Sequence, residues 1–300
     1  MRPQHTAPDN RAMHFPRNPD LHCHSLFSDG TLAPAQLAQR AAAAGVDLWA
    51  LTDHDTIAGL YDAQQAASAA GVAYLTGSEL STTWHDVTVH IVGLGVDPGN
   101  AALAAGIDGV RASRTPRARE MARLVERETG ADGAFEGALR HAGNPQLIAR
   151  PHFARFLVER GICRSSSEAF QRFLATGRPC FVPQQWATLE QAIGWIRTAG
   201  GMAVMAHPGK YPFSASQRSK LFEQFTALGG EGVEVVQSAH NTEDMRIYTG
   251  IARRFGLFAS RGSDFHSPSE SRINLGALPP LPDGLRGVWE ALEGRILWPQ

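Results

Sequence analysis

Cysteine is scarce in this 300-residue chain: there are three, Cys23, Cys163 and Cys180, with no CxxC spacing among them. That excludes a disulfide framework and a thiolate zinc ribbon, and it points to a reducing compartment. An excess of either charge is also missing. Lys and Arg total 28 against 29 Asp and Glu, a formal net charge of −1. No global field therefore draws the chain to nucleic acid or a membrane surface, and any anionic ligand must be held by a local cluster. No apolar run approaches the ~18 residues of a membrane span. The opening MRPQHTAPDNRAMHFP lacks the apolar core of a secretion signal. The expectation is a cytoplasmic protein with no membrane attachment and no implied protein partner. Residues 1–17 read as a flexible tail in which His5 and His14 are solvated. No internal repeat stands out, and the only compositional bias is in alanine-rich helices.

Histidine is plentiful. Twelve are present, and two open the most informative stretch, Asp20-Leu-His-Cys-His-Ser-Leu-Phe-Ser-Asp-Gly30. In an extended strand His22 and His24 face one side and Cys23 the other, so Cys23 reads as core. The Ser-Asp-Gly turn leaves Asp29 near the end of that strand. Two imidazoles and a carboxylate begin a metal site; taken alone, they fit equally a strand that happens to carry two histidines.

Strand and helix patterns then alternate. Thr31–Gly45 reads as a helix with Pro34 in its first turn and Gly45 as its stop. Val46–Thr52 reads as a buried strand ending in Asp53-His54-Asp55. A helix at about 57–70 and a strand at 72–76 follow, the strand running into Gly77-Ser-Glu79. This order implies parallel βα units, closed as a barrel or spread as an open sheet. In either case ligands gather beyond the C-terminal strand ends. Residues 87–96 form another strand, after a turn at Trp84-His-Asp86, and carry His90. From about 98 to 183 strand signals stop and helical patterns take over, one with Thr115 as N-cap and Pro116 as first residue. The alternation resumes with helix 189–199, strand 202–206 delivering His207-Pro208, helix 216–228, strand 232–236, a helix near 242–255 and strand 257–260. The last strand ends at Gly262-Ser-Asp264-Phe-His266. The expected class is α/β, with segments 18–97 and 184–300 forming one domain around a helical insertion domain at 98–183.

The candidate ligands are His22, His24, Asp29, His54, Glu79, His90, His207, Asp264 and His266. All but His90 fall in or just after an expected strand terminus. Six imidazoles and three carboxylates are too many for one ion, and mixed N/O donors suit Zn, Mn or Fe better than Ca or Mg. Multi-metal sites of this composition suit phosphate ester hydrolysis.

The motifs LHCHSLFSDG, LTDHDT, GSEL, HIVG, AHP and GSDFH, in this order, resemble those of the polymerase-and-histidinol-phosphatase (PHP) family, from about residue 20 to the C-terminus. The resemblance implies a distorted, TIM-like (β/α)7 barrel with a trinuclear site. The strings MARLVE, IARPHFARFLVERG, QQWATLEQAIGWIRTAGGMAVMAHPGKY and GVEVVQSAH are similar to those of the 3′,5′-nucleoside bisphosphate phosphatases, or RNase AM-like enzymes. Such enzymes remove the 3′-phosphate to leave a 5′-mononucleotide, and some trim short RNA from a 5′-phosphorylated end. Carried over by motif, one ion would be held by His22, His24, Glu79 and Asp264. A second would share Glu79 and add His90 and His207, and a third would take Asp29, His54 and His266. The implied cofactors are three divalent ions per chain, manganese first, with zinc and iron as alternatives.

On this reading the nucleophile is a metal-bound hydroxide attacking phosphorus in line. Asp53 is expected to orient an imidazole from behind; Asp55 fits the same role or, better, a helix N-cap. The insertion is expected to form part of the substrate pocket, with Arg114, Arg117, Arg150 and Lys210 binding phosphate. Arg119, Arg123 and Arg127 interleave with acids and read as solvated. Trp186 either stacks on a base or packs in the core, and His152 either faces ligand or caps its helix. The expected activity is hydrolysis of the 3′-phosphate of a 3′,5′-bisphosphorylated nucleoside. The alternative is 5′–3′ exoribonuclease action on short 5′-phosphorylated RNA. Histidinol-phosphate phosphatase fits the fold but not the insertion. A catalytically inactive module is argued against by the intact ligand set.

Overall fold

The structure is a computed structural model that describes residues 16–299; the expected tail, with His5 and His14, lies almost wholly outside the described residues. Seven strands form one sheet in chain order: β1 (Pro19–Asp20), β2 (Leu48–Leu51), β3 (Ala73–Trp84), β4 (Val87–Leu94), β5 (Met202–Met205), β6 (Gly232–Gln237) and β7 (Phe258–Gly262). The first and last segments meet through backbone bonds from Leu21 N to Arg261 O (3.0 Å), Asp264 N to His22 O (2.8 Å) and His24 N to Phe265 O (2.8 Å). These bring the sheet close to a closed barrel, the one of the two arrangements left open by the βα pattern that the PHP resemblance implies.

Helices α1 (Pro34–Ala43) and α2 (Leu60–Ala69) connect the first three strands. Pro34 occupies the first turn of α1, where a missing N–H costs nothing, and Leu37, Ala38 and Ala41 form its buried stripe. The helix stops at Gly45, whose φ of +72° is one that L side chains rarely adopt.

Several expectations need correction. The opening strand is shorter than read: only Pro19 and Asp20 pair in a ladder, and Cys23 forms a single bridge to Phe265. The strand expected to stop at residue 76 continues to Trp84, so Glu79 lies inside β3 and not at a strand end. Gly77 is the reason: a Cβ there would lie 2.8 Å from the Thr52 methyl and 3.0 Å from Leu51 O. It is a point of close approach between β2 and β3, not a terminator. Nor is the sheet wholly parallel, because β4 runs antiparallel to both β3 and β5. It is reached by a two-residue hairpin at His85 and Asp86, with φ of 46° and 62°, the left-handed pair that a type I′ turn requires.

Between β4 and β5 lie α3 (Ala101–Ala112), α4 (Arg114–Thr129), α5 (Ala134–Arg140), α6 (Arg150–Glu159) and α7 (Ser166–Ala169). Helix α4 begins at Arg114 with Ser113 before it, so Thr115 is not its N-cap and Pro116 is its third residue. Leu103 and Ile107 of α3 pack with the barrel core. From Ala118 onward a separate apolar cluster forms, including Met121, Val125, Phe153, Phe156, Leu157 and Leu174. Arg123 pairs with Glu120 and Arg127 with Glu128 on the exposed face, as read. Helices α8 (Leu189–Thr198), α9 (Ala215–Ala227) and α10 (Thr242–Phe255) complete the barrel's outer layer.

Candidate metal centre

The nine candidate ligands, drawn from all parts of the barrel, converge on one cavity floor. One group is His22, His24, Glu79 and Asp264. His22 Nε2 lies 3.2 Å from His24 Nε2, 3.3 Å from Glu79 Oε2 and 3.6 Å from Asp264 Oδ1. His24 Nε2 is 3.4 Å from Glu79 Oε2 and 3.2 Å from Asp264 Oδ1. A tetrahedral ion with bonds of ~2.0–2.1 Å has donor–donor edges of roughly 3.3 Å. Five of the six edges of this group, at 3.2–3.6 Å, lie near that figure.

Glu79 faces two further groups. Its Oε1 is 3.0 Å from His90 Nδ1 and 2.8 Å from His207 Nε2, and the two nitrogens are 3.4 Å apart. On the outer side, Asp29 Oδ1 lies 3.4 Å from His266 Nε2 and Asp29 Oδ2 3.8 Å from His54 Nε2. His24 Nδ1 approaches the same carboxylate at 3.8 Å, so this imidazole turns one nitrogen to each of two groups.

The donors fit divalent ions on a second ground. Glu79 Oε2, His24 Nδ1 and His54 Nδ1 are hidden from solvent and lack a hydrogen-bond partner among the described residues. His54 Nδ1 sits 2.9 Å from Glu79 Oε2, yet the two are not aligned as donor and acceptor. Buried polar atoms crowded together but unbonded are costly unless something between them accepts their lone pairs.

Protonation follows from the crowding. Burial pushes the Glu79, Asp29 and Asp264 carboxyls up, but neighbouring imidazoles, and Lys210 beside Asp264, outweigh it and hold all three well below the usual carboxylate range. His24 is pulled down to about 3 by burial and by His266 and His54. His207 is likewise pulled to about 3, by burial and Lys210. His54 goes the other way: burial lowers it, yet Glu79 and Asp29 lift it to about 9.

Behind these groups stands Glu234, which the sequence reading passed over. Its Oε1 takes His22 Nδ1 at 2.6 Å and its Oε2 the His207 backbone N–H at 2.5 Å. It fixes His22 so that Nε2 points to the other donors, and it holds His207 in a left-handed backbone (φ 28°). The sequence signal was an acid in the middle of the apolar strand GVEVV.

Asp53 needs correction. It makes no hydrogen bond to an imidazole among the described residues; its carboxylate accepts from Ser25 N (2.7 Å), Ser25 Oγ (2.6 Å) and Ser28 Oγ (2.5 Å). Asp53 therefore pins the loop between His24 and Asp29. Asp55 is not an N-cap either, since Gly59 precedes α2. Its carboxylate accepts from Ser81 N and Ser81 Oγ, both at 2.8 Å, and pairs with Arg114. His152 caps its own helix, with Nδ1 accepting from Ala149 N at 2.9 Å.

Above the donors opens a cavity of about 530 Å³ lined by Arg114, Arg117, Arg150, Trp186, Lys210 and Tyr211 as well as the outer candidate ligands. Arg117 donates from Nε to Val182 O at 2.9 Å. It has no ion-pair partner among the described residues, and burial with Arg150 and Arg114 pulls its pKa down to about 9. A guanidinium keeps its proton in proteins, so that pull expresses an unmet demand for an anion. Arg150 lies 5.6 and 5.8 Å from the Phe170 and Phe181 ring centres. Arg114 and Arg117 lie 4.8 and 5.5 Å from that of Trp186, whose Nε1 donates to Thr88 Oγ1 at 3.2 Å. Lys210, also in the lining, pairs with Asp264.

The family model described as "PHP domain" matches residues 20–226. The 3′,5′-nucleoside bisphosphate phosphatase of Chromobacterium violaceum is 47% identical over 282 residues, covering 94% of this chain and 99% of the relative. A 5′-3′ exoribonuclease of Haemophilus influenzae is 40% identical, covering 90% and 97%. A solved structure of an amidohydrolase from Chromobacterium violaceum superposes with a TM-score of 0.91 at 47% identity, covering 94% of this chain and 98% of that one. The barrel, its donors and these likenesses together make the chain a member of the PHP domain family.

Proposed function

We propose that the chain is a divalent-metal-dependent phosphatase that removes the 3′-phosphate of 3′,5′-bisphosphorylated nucleosides, such as adenosine 3′,5′-bisphosphate, leaving the 5′-mononucleotide. The observation that carries this reading is the joining of two anion sites in one cavity. Metal donors line its floor, and its wall holds Arg117 and Arg150, neither with an ion-pair partner among the described residues. A substrate with two phosphates can use both. The phosphatase named above, at 47% identity, supports the same assignment.

We assign three ions to the donor groups, manganese first, with His22, His24, Glu79 and Asp264 on one, Glu79, His90 and His207 on another, and Asp29, His54 and His266 on the third. Such ions supply Lewis acidity toward phosphoryl oxygens and lower the pKa of water. The chain's own residues do the rest. Glu234 holds His22 and His207 in register, and Asp53 fixes the loop that sets the His24-to-Asp29 spacing. Arg117 and Arg150 seat the phosphate that is not cleaved, Arg114 supports that wall from its pair with Asp55, and Lys210, beside Asp264, reaches phosphoryl oxygens. Trp186 forms the cavity side nearest Arg114 and Arg117. Tyr211 is not a proton donor, because its hydroxyl already donates to Ala206 O (2.9 Å) and accepts from His90 N (2.9 Å). We treat 18–97 and 184–300 as the barrel and 98–183 as the helical insertion completing the pocket. Three unpaired buried cysteines favour a cytoplasmic setting.

A second reading, trimming of short 5′-phosphorylated RNA, is favoured by the exoribonuclease likeness at 40% identity. One manganese-loaded preparation separates the two. Initial rates on adenosine 3′,5′-bisphosphate, a short 5′-phosphorylated RNA and histidinol phosphate should give the highest kcat/KM for the bisphosphate, with one phosphate and AMP as products. A higher kcat/KM for RNA would put the second reading first, and preference for histidinol phosphate would sink both.

A further inference from the structure

The nine donors are unequally supported. Glu79 and His90 lie within strands, and His22, His24 and Asp264 lie where backbone bonds close the barrel. Asp29 and His266 belong to irregular loops instead. Both loops are held by one side chain from outside the barrel. Arg155, on α6, donates from Nη2 to the Asp29 carbonyl (2.7 Å) and to Glu270 Oε2 (2.7 Å), and from Nε to Glu270 Oε1 (3.1 Å). Glu270 lies in the loop that carries His266, and the next residue, Ser271, accepts the His266 N–H through Oγ at 2.8 Å. Ser166, at the start of α7, adds a hydroxyl bond to Glu270 Oε1 at 2.8 Å.

The geometry is that of a planar fork gripping a carboxylate at two points, which fixes orientation as well as distance. The Arg155 side chain is only 10% exposed, so water competes weakly for it. We infer that Arg155 is a positioning residue for the group formed by Asp29, His54 and His266. By clamping the Asp29 and His266 loops to the helical segment, it sets the affinity for the one ion which that group would hold. The inference rests on the three-ion reading above.

The test is an ion count. Metal-free full-length protein is titrated with Mn²⁺ by calorimetry, and bound manganese is measured after gel filtration, for the wild type, Arg155→Met, Arg155→Lys and Glu270→Gln. The wild type should take up three ions. Arg155→Met and Glu270→Gln should keep two with unchanged affinity and bind the third about 10–100-fold more weakly, the range for loss of a group that orients a ligand. Arg155→Lys should restore little, because an ammonium cannot reproduce the fork. A merely structural role would weaken all three ions together. That result, or three ions at wild-type affinity in both Arg155→Met and Glu270→Gln, overturns the inference. A wild type that binds fewer than three ions fails at the earlier step: it refutes the three-ion reading itself, and the inference falls with it.

Discussion

Arg114, Arg117 and Arg150 share a cavity wall, and the structure predicts that they are not interchangeable. Arg114 is buried against Asp55, itself fully buried and already accepting two bonds from Ser81. Removing one partner of a buried ion pair strands the other charge, at a cost of ~3–5 kcal/mol. Because Ser81 still serves Asp55, the cost of Arg114→Met should fall near the lower end. Arg117 is the opposite case: its neighbours are cations, and no carboxylate answers it among the described residues. Arg117→Met relieves repulsion in the ligand-free protein, so its stability should be unchanged or raised. Its KM for the bisphosphate should rise about ten-fold, corresponding to loss of a charge-assisted bond worth ~1.5 kcal/mol, with kcat little altered. Urea unfolding of the metal-free variants, followed by tryptophan fluorescence, measures the first quantity, and steady-state kinetics the second. Equal stability loss in the two variants, or an unchanged KM in Arg117→Met, would refute the division of labour drawn here.

Glu79→Gln should lower kcat by more than about 100-fold, beyond any arginine variant, because its two oxygens face different imidazole groups; a smaller loss than in Arg117→Met would count against a shared ligand. Metal uptake near pH 7 should release protons, since the metal-free His54 is held protonated up to about 9 and must be neutral to bind. Apparent affinity should then rise with pH until about 9, and calorimetry in buffers of differing ionisation enthalpy will detect the released proton or its absence. Glu234→Gln should weaken manganese binding about 10–100-fold while leaving KM for the bisphosphate, measured at saturating metal, near the wild-type value.

The candidate donors were legible because their spacing is local: paired histidines two apart, a turn acid five residues on, and single residues delivered in or just after strands. Supporting contacts were not, because they join distant segments. Asp55 meets Arg114 across 59 residues, and Glu234 meets His22 across 212; no periodicity reports such a pair. Asp53 misled because DHD places two acids beside an imidazole in sequence, whereas the fold turns Asp53 back onto Ser25 and Ser28. Gly77 misled because glycine marks both chain stops and points of close approach, and only the neighbour, Thr52, distinguishes them. Glu234 was readable in principle. A carboxylate among the valines of a fully buried strand is expensive unless bonded, and that cost is itself a functional signal.

The reversed strand accounts for His90, which with Glu79 is one of two candidate ligands standing within a strand. In parallel βα units the ligand-bearing end of each strand is its C-terminal end, a rule His90 breaks by standing within its strand. Because β4 runs antiparallel to β3, its N-terminal half lies beside the C-terminal half of β3, where Ser81 pairs with His90 and Glu79 with Val92. Residues two apart on a strand share a face, so Glu79 and His90 look into the same side of the sheet from adjacent strands. The 3.0 Å approach of His90 Nδ1 to Glu79 Oε1 follows from that register. A parallel β4 would have carried position 90 away from the ligand end and left Glu79 Oε1 facing His207 alone. The extension of β3 past Gly77 and the tight turn at His85 and Asp86 are thus what give Glu79 a donor group on each side.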